Sequence, residues 1–142
     1  MFEYANHPAV RVHGGAVRAT GEHLRLVDAF APDPLGQIAS AIDHDVACIF
    51  YDCSGPPFKD PSGIPTLDQV MLIAHQAGVR VIADGSMALP PAENLRDLIA
   101  TGADAVCLDL EDGVAFEQKD EARDKAMALL AERPPCRAEV IL

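Results

Sequence analysis

The sequence predicts an α/β domain built on a mostly parallel sheet with helices on both faces. Two observations carry that expectation: short, nearly continuous apolar runs alternate with segments of helical periodicity, and glycine or proline stands near most junctions. A strand covered on both faces needs no polar alternation, so such runs point to a buried parallel sheet. Of the 142 residues, 49% are apolar, enough for one sizeable core and too short a chain for two ordinary domains.

The elements follow in order. HLRLVDAF (23–30) and VACIFYDC (46–53) read as strands, because β-branched and aromatic residues cluster between polar or turn-forming ends. Between them, PLGQIASAI (34–42) sets Leu35, Ile38, Ala39 and Ile42 at helical spacing. GPPFKDPSGIP (55–65) is dense in breakers and reads as an irregular loop. TLDQVMLIAHQAG (66–78) is a helix begun at Pro65 or Thr66, with Leu67, Val70, Met71 and Ala74 on its apolar face and Gly78 as its C-cap. His75 falls opposite that face and reads as a solvated surface histidine.

VRVIADGS (79–86) is the next strand, NLRDLIATG (94–102) a short helix stopped by Gly102, and AVCLDLED (105–112) another strand. Glu117 to Glu132 form a charged amphipathic helix with Ala122, Ala126, Leu129 and Leu130 on one side. AEVIL (138–142) is the last strand. Ending on Ile141 and Leu142, without polar tail or closing helix, the chain reads as cut from a longer domain. The free edge of such a strand invites pairing, which leaves a homo-oligomer open.

A formal net charge of -11 repels polyanions and argues against nucleic acid as a partner. Cys48, Cys53, Cys107 and Cys136 form no CxxC, and Cys48 and Cys107 sit in apolar runs where a thiol acts as a small hydrophobe. Neither a disulfide framework nor a zinc site is indicated, so a reducing compartment is expected. No basic-then-apolar segment lies near Met1 and no apolar run reaches membrane-spanning length, which predicts a cytoplasmic protein with no membrane partner.

In open parallel sheets ligands bind beyond the carboxyl ends of the strands. Three strands bring polar groups there: Asp52 with Ser54, Asp84 with Ser86, and Asp109 with Glu111 and Asp112. Residues two apart share one side of a strand, so Asp109 and Glu111 act together while the backbone stays extended. Such carboxylates suit a hard divalent cation such as magnesium; equally, each suits a loop role, accepting nearby backbone amides. Asp84 is the sharper candidate, since a carboxylate ending a buried apolar strand needs a partner or a cleft. That partner is either a protonated ring nitrogen of a cofactor or the amide opening the next helix. His13 beside Gly14 and Gly15 forms a polar, flexible spot, but a catalytic histidine also needs a nucleophile and an orienting group. No GxGxxG or GxxxxGK[ST] pattern is present.

GIPTLDQVMLIAHQAGVRVIADGSMALPPAENLRDLIATGADAVC (63–107), with VRVHGGAVR (10–18) and AIDHDVACIFY (41–51), resembles the large domain of selenocysteine-synthase-like, fold-type-I pyridoxal-phosphate enzymes. The resemblance covers residues 7–107. In that group a strand-end aspartate precedes a small residue and an LPP element, and a helix then leads to GAD. The resemblance implies that Asp84 keeps the pyridine nitrogen protonated, which makes the ring an electron sink, with Ser86 and His13 near the cofactor. It implies a lyase or transferase acting on an amino-acid-like substrate. The departure is at the aldimine-forming lysine: the chain reads LDLE (108–111), with Glu111 near the lysine's place, and Lys119 and Lys125 lie in a helical pattern.

GADAVCLDLEDGVAFEQKDEARDKAMALLAE (102–132), with RPPCRAEVIL (133–142), resembles the first part of the citrate-lyase-beta and HpcH/HpaI aldolase family. That family is a (β/α)₈ barrel that uses magnesium to cleave or form carbon–carbon bonds next to an acyl-CoA or a 2-oxo acid. Its LEDxVxxxxKxxAR pattern falls on Leu110, Glu111, Asp112, Val114, Lys119, Ala122 and Arg123. The resemblance implies catalytic and metal-side roles for Glu111 and Asp112, while the principal metal carboxylates and an enolate-stabilising arginine come from later strands. The expected division is a pyridoxal-enzyme-like segment over 1–107 and an aldolase-like βα segment over 108–142, packed as one domain. Three functions stay open: a partial pyridoxal-phosphate enzyme lacking its lysine, a magnesium-dependent carbon–carbon lyase fragment, and a non-enzymatic association domain. The first two take a small-molecule substrate or cofactor.

Overall fold

Every apolar run expected to be a strand enters one six-stranded parallel sheet in a computed structural model, which describes residues 2–3, 24–28, 31–53, 65–85, 93–110, 114–132 and 138–141. The elements are β1 (Phe2–Glu3), β2 (Val27–Asp28), α1 (Pro34–Ala41), β3 (Cys48–Asp52), α2 (Leu67–Gln76) and β4 (Arg80–Asp84). They continue with α3 (Glu93–Ala100), β5 (Ala105–Cys107), a 3₁₀ turn (Phe116–Gln118), α4 (Lys119–Ala131) and β6 (Glu139–Ile141). The strand order is β2-β1-β3-β4-β5-β6. The two-residue β1 was not foreseen, and the runs 23–30 and 105–112 contract to Val27–Asp28 and Ala105–Cys107.

Local chemistry sets the helix ends. The Asp33 carboxylate caps α1 by accepting the Gly36 amide at 3.0 Å, and Pro34, lacking an N–H, fits the first turn. Thr66 and Gln69 form a reciprocal capping box at the start of α2. Gly78 and Gly102 follow α2 and α3 at φ +73° and +86°, left-handed conformations that glycine adopts without steric penalty.

Alternation along the strands separates two unlike faces. Ile49 and Tyr51 of β3, Val81 and Ala83 of β4 and Val106 of β5 point to one side and are buried. There they join Ile38 of α1, Val70 and Ala74 of α2, Leu98 and Ile99 of α3, and Ala126 and Leu129 of α4 in a single core. Each fully buried aliphatic side chain contributes roughly 1.5–3 kcal/mol. The four helices among the described residues share that face because each carries the chain in the same direction along the sheet, and right-handed crossovers then fall on one side. The opposite side holds Phe50, Ile82 and Cys107, half-buried, and an exposed Cys48; among the described residues no helix covers it. The parallel α/β class is as expected, whereas the helices expected on both faces lie, among the described residues, on one. The expectation of an apolar burial site for Cys48 is corrected: VACIF is continuous in hydropathy, but Cys48 lies on the less covered face at the strand's entry.

His75 is likewise not simply solvated. Its Nε2 lies 2.9 Å from Asp104 Oδ2, and that same oxygen accepts the Val81 amide at 2.8 Å. The Asp104 amide donates to the Val81 carbonyl at 3.0 Å, and its own carbonyl accepts the Glu139 amide at 2.9 Å. Asp104 therefore ties α2, β4 and β6 together at the amino rim of the sheet. Burial, the strongest single influence, pushes its carboxyl up, but the Val81 amide, His75 and the Arg80 charge together hold it below the ordinary value. Among the described residues, no helix is long and apolar enough to cross a membrane.

Candidate functional site

The carboxyl rim is ordered by the ladder itself. Asp52, Asp84 and Cys107 occupy one cross-strand row. Beyond the row, the Cys53 amide donates to the Asp84 carbonyl at 2.9 Å, the Gly85 amide to Cys107 at 2.8 Å and the Leu108 amide to Ile141 at 2.9 Å. Packing favours glycine at Gly85: a Cβ there would stand 2.6 Å from Leu98 Cδ1 and 3.3 Å from the Cys107 carbonyl oxygen, so Leu98 would have to shift. Helix α3 thus presses against the end of β4, next to Asp84.

Asp84 is buried, with 5% of its surface exposed, on the side of the sheet away from the helices. Asp52 and Asp109 are half-buried. Their charges register on neighbouring thiols. Burial, then Asp52 and Asp84, pushes Cys53 up to about 12. Burial, then Asp84 and Asp109, pushes Cys107 up as well. Both shifts favour the thiol over the thiolate, and carboxylates at the ends of β3, β4 and β5 act on one stretch of rim.

Of the other expected site residues, Ser54, Ser86, His13, Glu111 and Asp112 lie outside the described residues. The remainder of the LEDxVxxxxKxxAR pattern is described. Val114 is buried and pins the loop after β5, Lys119 opens α4, and Ala122 is half-buried. Arg123 is exposed, 3.4 Å from Asp120 one turn earlier. Of the pattern's apolar members, Val114 is buried and Leu110 and Ala122 half-buried, as packing residues are.

Two features escaped sequence reasoning. Asp104 belongs to GAD, where Gly102 supplies the positive φ and Ala103 is fully buried; the motif's aspartate is a structural tie at the rim opposite Asp84. Asp43, His44 and Asp45 form the cluster of potential metal-binding side chains found among the described residues. It lies on the exposed turn before β3, at the amino rim, where Arg25 donates to Asp43 at 2.7 Å and to the Ala41 carbonyl at 2.7 Å. That bond, then the Asp45 amide, holds the Asp43 carboxyl below its usual range. These partners account for the turn structurally.

Among the described residues, no lysine lies at the ends of β4 and β5, where the pyridoxal-phosphate reading would need one for an aldimine; Lys59 lies outside them. The lysines of the chain are Lys59, Lys119 and Lys125. Lys119 and Lys125 both belong to α4, and Lys125 pairs with Glu121 one turn back. Among the described residues, Asp52, Asp84 and Asp109 bring carboxylate oxygen, the donor type a hard cation takes, to this rim, while Glu111 and Asp112 lie outside them.

Residues 87–140 match the family model for HpcH/HpaI aldolase/citrate lyase. The match takes in α3, β5, the 3₁₀ turn, α4 and the start of β6. It begins upstream of Gly102, so the LPP stretch and the helix leading to GAD fall within it. These same residues had suggested the pyridoxal-phosphate group, which gains no support from the match. Asp52 and Asp84 lie outside the matched span. No curated protein matches the chain.

Proposed function

We propose that this chain supplies a βα portion of a magnesium-dependent carbon–carbon lyase or aldolase of the citrate-lyase type. The observation that carries the reading is the match over 87–140, which contains the acidic loop immediately after β5. Glu111 and Asp112 are the metal-side carboxylates in this reading. Asp84 and Asp109 bring further carboxylates to the carboxyl rim of the sheet, and a divalent cation would offset such negative charge. Magnesium, when bound, acts as a Lewis acid on a carbonyl oxygen next to the bond being made or broken. The chain's own part is positional: Val114, which follows Glu111 and Asp112 in sequence, is buried, and Leu98 of α3 packs close to Gly85 at the neighbouring strand end. The resemblance assigns the principal metal carboxylates and the arginine to later strands, so the reading concerns a contribution to a centre.

Calorimetric titration of the 142-residue chain with magnesium chloride and acetyl-CoA tests it. The expected result is saturable heat that Glu111→Gln with Asp112→Asn abolishes while the circular dichroism spectrum stays unchanged. Heatless mixing of both ligands with the folded chain overturns the reading.

A further inference from the structure

We draw no further inference here: the strongest candidate, the half-buried sheet face formed by Phe50, Ile82 and Cys107 on the side away from the four helices, carries none because nothing in the structure shows what covers it.

Discussion

From β3 to β6 each strand lies beside its predecessor, whereas β1 sits between β2 and β3, so the order reverses at one end of the sheet. Sequential neighbours joined by helices are how a (β/α)₈ barrel is built; a reversal belongs to open, doubly wound sheets. The aldolase-family match is confined to the sequential part, over 87–140. The two regions consequently nominate different places on the same rim. The reversal directs attention to the crevice between β1 and β3, beside Asp52, while the family pattern directs it to the loop after β5. A shared sheet does not require a shared ancestry for its two ends.

If the regions are one cooperative unit despite that difference, core truncations in either must move a single transition. Leu98→Ala removes a fully buried side chain of α3, in the matched part, and Ile38→Ala does the same for α1 outside it. Each is expected to lower stability by about 2–5 kcal/mol, read from urea unfolding by circular dichroism. Two separated transitions, each sensitive to one substitution, would break the picture of a common core. Next in size is Gly85→Ala, where the new methyl meets Leu98 and the Cys107 carbonyl; overpacking there costs about 1–3 kcal/mol. An unchanged urea midpoint would show that α3 does not press on the β4 end. Thr66→Ala, remote from the matched span, removes half of the capping box and should lower stability by about 1 kcal/mol. A loss indistinguishable from zero would mean that the α2 start is held by packing alone.

The parts of this fold legible in the sequence are those set by neighbours along the chain. Helix α2 shows its apolar face by spacing and its start by Thr66 and Gln69, and the structure places both as expected. β1 was invisible because two residues carry no periodicity, and its place comes from pairing with Val27 and Tyr51, far along the chain. The face on which Cys48 falls was equally hidden: a continuous apolar run does not say which side the helices cover. Asp84 was legible as a strand-end carboxylate because its burial follows from the apolar run before it. The role of Asp104 was not, since His75 and Val81 reach it across 29 and 23 residues.

The smallest effect concerns that tie, and its pH dependence separates charge from shape. With its folded value held below that of an ordinary aspartate, ionised Asp104 stabilises the fold at pH above the unfolded value. The contribution fades as pH drops through the folded value, where the carboxylate takes up its proton. The side chain is 37% exposed, so solvent screening limits the electrostatic share to below about 1 kcal/mol. Asp104→Asn keeps an oxygen for the Val81 amide and removes the charge. The variant should be slightly less stable than the parent at about pH 5, and the gap should narrow as pH falls below the ordinary carboxyl range and Asp104 takes up its proton. Urea unfolding above and below that range reads the difference directly. A gap that stays constant with pH would assign the tie to hydrogen-bond geometry alone, and would place β4, α2 and β6 under a constraint that proton uptake at this position does not release.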